Sequence, residues 1–305
     1  MKFGKLNSIE EVDFRLPPDP KGTTLALEKY GQKNQKLHFY IGCTGWSMKE
    51  WVGKVYPKGT KSKDYLKHYA LQFNTIELNT THYRTPNFET IAKWKAESAD
   101  DFKFCPKILQ AISHSRDLGI SGGQIEPFCN AVAGLEEKLG CCFIQLPPYF
   151  GINRLEVLER FLAQFPKEIP LAVELRHESW FNKAEHSELL FETLEKYGVS
   201  TVITDVAGRR DVLHQRLTTA TAMIRFVGNA LHPTDYQRID DWVARILGWH
   251  QQGLSEVYFF PHEPDNLLAP DLAKYLFDLL KNNPHISVRG PVFDQPFPNE
   301  QMSLF

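Results

Sequence analysis

Leu171-Ala172-Val173-Glu174-Leu175-Arg176-His177 reads as a short buried strand that ends in charge. Alternation puts Leu171, Val173 and Leu175 on one face and Ala172, Glu174 and Arg176 on the other. A carboxylate and a guanidinium on an otherwise apolar strand are costly to bury unless paired or hydrated. The strand therefore predicts a pocket lined from its end. Seven more apolar, strand-like runs accompany it, at 39–43, 75–78, 102–108, 141–146, 200–206, 222–227 and 257–260. Between them, apolar residues recur at helical spacing, as in Tyr65, Leu66, Tyr69 and Phe73, or Leu155, Leu158, Phe161, Leu162 and Phe165. Asn153 with Glu156 and Thr234 with Gln237 resemble capping boxes, and Thr85-Pro86 suits a cap followed by a first helical position.

Eight strand–helix alternations in roughly 270 residues predict an α/β fold, a (β/α)8 TIM barrel rather than an open doubly wound sheet. No glycine-rich dinucleotide loop follows the first run. The expected division is an N-terminal arm at 1–36, a barrel domain at 37–292 and a polar tail at 293–305. The arm contains Pro17-Pro18-Asp19-Pro20 and predicts an extended segment with a short helical turn around Leu25 to Tyr30.

Composition narrows the function classes. Hydrophobic residues make up 42% and charged residues 24%, which fits a globular chain with a large core. A net charge of -2 supplies no global field for nucleic acid, so any such contact needs a local patch. No apolar run approaches the roughly 20 residues that span a bilayer. The first residues lack the apolar segment of a signal peptide. Five cysteines without C-x-x-C spacing argue against a disulfide framework or structural zinc, and for a reducing, cytoplasmic compartment.

In a TIM barrel the active site lies at the C-terminal strand ends, and here those ends hold most of the unusual residues. They carry Trp46; Glu77, Asn79, Tyr83 and Arg84; Lys107; Gln145; Glu174, Arg176, His177 and Trp180; Asp205; Arg225; and His262 with Glu263. Acids and bases on most strands at one end predict a polar mouth. The alternative is an upper layer closed by a Glu174–Arg176–Asp205–Arg225 network. Arginine forks at the mouth suit an anion such as carboxylate or phosphate. Trp46, Tyr83 and Trp180 are candidates to stack on a base or sugar. Glu174, Asp205, His262 and Glu263 could hold a divalent metal, but their spacing is loose and the arginines compete for the carboxylates, so a metal is not favoured. Lys107 could form a Schiff base only if desolvated, and nearby Glu77 or Glu174 would oppose that.

These residues carry a family resemblance. Ile41-Gly42-Cys43-Thr44-Gly45-Trp46-Ser47, with Trp51-Val52-Gly53 and Tyr56-Pro57, resembles the opening of the YecE-like family, a domain of unknown function (DUF72). Phe73-Asn74-Thr75-Ile76-Glu77-Leu78-Asn79, Gln145-Leu146-Pro147-Pro148 and Val173-Glu174-Leu175-Arg176-His177-Glu178-Ser179-Trp180 resemble its later motifs. Asp205 and Arg225 fall where that family also carries an acid and an arginine. The resemblance implies a TIM barrel and supplies no reaction. Phe260-Pro261-His262-Glu263 departs from the asparagine-rich text expected of relatives.

The chain ends Gln301-Met302-Ser303-Leu304-Phe305, which resembles the short peptide by which bacterial proteins dock on the DNA polymerase sliding clamp. Leu304 and Phe305 would fill an apolar groove, each side chain worth about 2 kcal/mol when buried, while Gln301 bonds at its edge. The leading expectation is an enzyme acting on an anionic, phosphate-bearing substrate, nucleic acid included, with a link to DNA replication or repair. Glu77 or Glu174 would be the base, with His177 or Asp205 in proton transfer. Lys107, Arg176 and Arg225 would hold the anion, and Asn79 and Gln145 would orient it. The alternatives are a non-catalytic adaptor and a sugar-directed hydrolase or isomerase.

Overall fold

The computed structural model describes residues 4–293, and each of the eight strand-like runs forms a strand. These are β1 (Leu37–Ile41), β2 (Thr75–Leu78), β3 (Lys103–Pro106), β4 (Cys142–Gln145), β5 (Leu171–Glu174), β6 (Ser200–Asp205), β7 (Thr221–Val227) and β8 (Glu256–His262). A ninth, β9 (Ile286–Arg289), has no counterpart among the expected runs. All paired strands are parallel, in a ladder β4-β5-β6-β7-β8-β1-β9 and a separate β2-β3 pair.

Two seams join the pair to the ladder. Between β3 and β4, Ile108 N–H donates to Phe143 O at 2.9 Å and Gly140 N–H to Phe104 O at 2.7 Å. Between β1 and β2, the single main-chain link is Glu77 N–H to Cys43 O at 3.0 Å. Side chains supply the rest. The Asn74 carboxamide accepts from Ile41 N–H at 2.7 Å and donates to Phe39 O at 2.9 Å, standing in for a strand peptide group. The Tyr69 hydroxyl accepts from Cys43 N–H at 2.6 Å and donates to Thr75 O at 3.0 Å. A Cβ on Gly42 would lie 2.0 Å from Thr75 O, so this approach requires glycine there.

Helix α1 (Lys21–Tyr30) precedes the barrel. Then α2 (Tyr65–Gln72) follows β1, α3 (Phe88–Glu97) follows β2, and α4 (Gln110–Ser113) with α5 (Ile125–Ala133) follow β3. After these, α6 (Leu155–Gln164), α7 (Ala184–Lys196), α8 (Pro233–Gln252) and α9 (Ala269–Leu280) follow β4, β5, β7 and β8. The expected eighth alternation is missing among the described residues: only a 3-10 turn, Arg210–Val212, lies between β6 and β7. Helix α1 takes that station. Its Tyr30 hydroxyl donates to Glu195 O on α7 at 3.2 Å, Thr24 Oγ1 to Gln252 Oε1 on α8 at 2.9 Å, and Thr23 Oγ1 to Gln215 O at 2.7 Å. The arm is thus more helical than its prolines suggested, and it completes the outer ring.

The helix starts also differ from expectation. Asn87, not Thr85, caps α3 by accepting from Thr90 N–H at 3.0 Å. His232 caps α8 ahead of Pro233, and Asn153 lies inside a 3-10 turn without a cap bond. Proline and local turns decide these ends by one or two residues.

Apolar residues separate into a lumen and an outer shell. Cys105, Cys141, Phe143, Ala172, Val202, Met223, Tyr258 and Phe260, with half-buried Tyr40, fill the lumen. Larger clusters lie between strands and helices. All five cysteines are buried thiols. No helix among the described residues is long and apolar enough to cross a membrane.

The β1–β2 seam yields a prediction. Asn74→Ala leaves Ile41 N–H buried without a partner, at a cost of about 1–3 kcal/mol, and takes one of its donors from Phe39 C=O. Chemical denaturation should show a loss of about 2–4 kcal/mol. A loss below about 0.5 kcal/mol would mean that the seam does not depend on the carboxamide.

Candidate functional site

Strand alternation carries the apolar lumen upward into a charged layer. Continuing two residues past each lumen residue gives Lys107 after Cys105, Gln145 after Phe143, Glu174 after Ala172, Thr204 after Val202, Arg225 after Met223 and His262 after Phe260. Glu77 and Asn79 complete it from β2.

Arg225 is the centre. Its Nε donates to Glu77 Oε2 at 2.8 Å and Nη2 to Glu77 Oε1 at 2.9 Å, while Nη1 donates to Glu174 Oε2 at 2.7 Å. All three side chains are at most 2% exposed. The remaining acceptor positions are also used. Asn79 Nδ2 donates to Glu77 Oε1 at 2.9 Å, and His262 Nε2 lies 2.9 Å from Glu77 Oε2. Glu174 takes Arg176 Nε on Oε1 at 2.7 Å and Gln145 Nε2 on Oε2 at 2.7 Å. The Gln145 carbonyl Oε1 in turn accepts from Lys107 Nζ at 2.9 Å.

Burial alone would raise both carboxyl pKa values, but the adjacent cations outweigh it. Glu174, beside Arg176 and Arg225, is lowered to about 2. Glu77 lies well below the usual carboxylate range. Burial lowers the pKa of His262, so it serves Glu77 as a neutral hydrogen-bond donor and Arg225 supplies the charge. Lys107 is lowered to about 8, first by burial and then by the Arg225 charge. Thr204 Oγ1 is buried without a hydrogen-bond partner.

Several expected site residues lie elsewhere. Asp205 faces outward from the lumen, where its carboxylate accepts from Trp242 Nε1 at 2.8 Å and pairs with Arg238 Nη2 at 2.8 Å and with Arg210. The closed network therefore contains Glu77 in place of Asp205. Trp180 is fully buried and donates to Phe150 O at 2.6 Å, so its ring is not available at the rim. His177 Nδ1 accepts from Ser179 N–H at 3.1 Å, closing a turn beyond β5. Trp46 packs edge-on against Trp94, with centroids 5.8 Å apart. Tyr83 and Arg84 are exposed on the rim. Glu263 accepts from Ala230 N–H at 2.8 Å and holds the β7–α8 loop. Among the described residues, no group of three or more His, Cys, Asp or Glu is placed to hold a metal ion. Gln301, Met302, Leu304 and Phe305 lie outside the described residues.

The arm roofs part of this face. Residues 4–10 and the ends of β6 to β8 enclose a cavity of about 370 Å³ that includes Val206, Gly228, Asn229 and Pro264. Tyr83, 76% exposed, and Tyr149, 60% exposed, mark the side not covered by the arm. Lys107 and Gln145 belong to that side. Reading by sequence missed Thr204 and Asn74. Thr204 was signalled only by its phase opposite Asp205, and Asn74 by an amide immediately before a strand.

The family model described as "Protein of unknown function DUF72" matches residues 40–297. UPF0759 protein YecE of Escherichia coli K12 is 34% identical over 285 residues, covering 87% of this chain and 99% of that protein. UPF0759 protein YunF of Bacillus subtilis 168 is 28% identical over 158 residues, half of this chain and 55% of its own. The crystal structure of a DUF72 family protein from Enterococcus faecalis V583 superposes with a TM-score of 0.64 at 20% identity, covering 81% of this chain and 98% of that one. That likeness concerns the fold.

Removing the central cation should be severe. Arg225→Met strands two buried carboxylates and should cost about 3–5 kcal/mol in denaturant unfolding. In the wild-type protein the depressed Glu174 pKa adds stability above about pH 4.5, lost as pH falls towards 2 because the unfolded chain takes up the proton first. Arg225→Met should flatten that acid limb. An unchanged limb would contradict the assigned pairing.

Proposed function

The chain belongs to the DUF72 family, and from that premise we propose that its barrel mouth is an enzyme site for a small anionic substrate, with Lys107 exchanging the proton. The observation that carries this reading is a charge surplus in a buried layer. Among the described residues of this layer, Lys107, Arg176 and Arg225 supply three cations against the two carboxylates of Glu77 and Glu174. The carboxylate oxygens already accept hydrogen bonds from the layer's own side chains. An anion arriving above the layer meets a net positive charge where water screens little.

Glu77 and Glu174 are anchors in this reading rather than the general bases expected from the sequence. A carboxylate held near pKa 2 by the charges of Arg176 and Arg225 is a weak base at neutral pH. The same fact counts against Glu77 and Glu174 as the acid–nucleophile pair of a sugar hydrolase, which keeps one carboxyl protonated as the acid. Within the charged layer Lys107, lowered to about 8 by burial and Arg225, is the group whose proton is exchangeable near neutrality; Glu263, raised to about 7 by burial, is spent on the β7–α8 loop. Closure of the Glu77–Arg225–Glu174 network favours a second reading, a non-catalytic platform. A tether to the sliding clamp through Gln301, Met302, Leu304 and Phe305 is compatible with either reading. Deleting the last five residues should abolish clamp binding if that tether exists, and equal affinity would end it.

Inorganic phosphate should raise the melting temperature more than chloride at equal ionic strength. Lys107→Met should weaken that ligand at least about tenfold, or about 1.4 kcal/mol. Equal stabilisation of both proteins would remove the anion site.

A further inference from the structure

We propose that Lys107 is a nucleophilic amine that forms an imine with a small anionic aldehyde or ketone at the barrel mouth, an inference that rests on the anion-site reading above. Four structural facts support it. Lys107 continues β3 at its C-terminal end, where its backbone N–H bonds Leu78 O of β2 at 3.2 Å and the side chain enters the charged layer with 8% exposure. Its amine contacts neither carboxylate by hydrogen bond. Among the described residues, Nζ donates to Gln145 Oε1 alone, and Gln145 spends its Nε2 on Glu174 Oε2. A neutral amide therefore stands between the amine and the nearest acid on β5. The opposition that Glu77 and Glu174 would offer is further reduced because Arg225 occupies both.

The third fact is a like-charged neighbour. Lys107 Nζ lies 6.0 Å and Arg225 Cζ 5.7 Å from the centroid of the same Phe143 ring. Burial disfavours the ammonium form, and so does the charge of Arg225 on the same ring. The fourth is the wall beside the amine. His82 and His114 face each other with centroids 5.6 Å apart, and burial, together with the Lys107 charge, lowers both pKa values. Neutral rings on that side add no competing anion. Arg176 and Arg225, both paired with Glu174, keep the field of the layer positive, which suits a substrate carboxylate or phosphate.

The chemistry balances without a co-reactant. The Nζ lone pair adds to the carbonyl carbon, and the C=O π pair moves to oxygen. Both Nζ protons leave with that oxygen as water, and the C=N bond remains. Glyoxylate, a small anionic aldehyde, tests this directly on the full chain. Sodium cyanoborohydride delivers hydride to the imine carbon while nitrogen takes a proton from water, leaving carboxymethyl-lysine.

Peptide mass mapping at pH 7 should show Lys107 modified at least about tenfold faster than the median of the other lysines, a rate ratio worth one pKa unit. Inorganic phosphate should protect Lys107 alone. Gln145→Glu, which places a carboxylate against the amine, should slow its modification at least about tenfold; the comparison among wild-type lysines stands even if that variant unfolds. If Lys107 reacts no faster than exposed lysines while phosphate still stabilises the protein, the imine is overturned and the anion site survives. If phosphate neither stabilises nor protects, both fall.

Discussion

Arg225 holds two carboxylates from different strands in a place where none of the three charges reaches water. Its fork grips Glu77 on β2 and its remaining nitrogen grips Glu174 on β5. Desolvating each ion costs several kcal/mol, which only close, well-aligned partners offset. Such an arrangement is not a source of net stability. It is a constraint on geometry, because β2, β5 and β7 must keep their mutual registers for three charge-assisted bonds to form. The apolar lumen beneath sharpens it, since Phe143, Met223, Tyr258 and Phe260 offer no alternative partner.

The constraint also assigns roles to the neighbours. Once Arg225, Arg176, Gln145, Asn79 and His262 have filled the carboxylate oxygens, Lys107 is left with an amide for company. A lysine beside a free carboxylate would stay charged. This one is separated from Glu174 by Gln145 and pressed by Arg225, so its proton becomes labile. The arm contributes from outside. Helix α1 occupies the place where the β6–β7 connection provides no helix, and residues 4–10 cover the β6 to β8 ends. Lys107 and Gln145 belong to strands that residues 4–10 do not line.

Much of this is written plainly in the chain. Continuous apolar runs mark all eight barrel strands, because a parallel strand buried on both faces leaves a strong local signal. The mouth residues Glu77, Glu174, Lys107, Gln145 and Arg225 stand out because charge at the end of such a run is rare. Phase is harder to read. On β6, Thr204 and Asp205 are both polar, and a one-residue shift exchanges lumen for outer wall. Arg238 and Trp242, which arrive from α8 more than thirty residues later, and Arg210 from the following turn reveal that Asp205 faces out. Trp180 resembles a rim aromatic until Phe150 O is found to hold its indole. The Asn74 seam and β9 are tertiary in origin, since each depends on an edge of β1 that no local pattern announces.

The central claim is that the charged layer compensates its carboxylates fully and leaves one lysine that loses its proton near pH 8. Titration of the Lys107 side chain by NMR, with lysine labelled at the ε carbon, addresses this directly. The account predicts one lysine resonance with a midpoint near 8, absent in Lys107→Arg. A Lys107 midpoint at about 10.4, the ordinary lysine value, would contradict it.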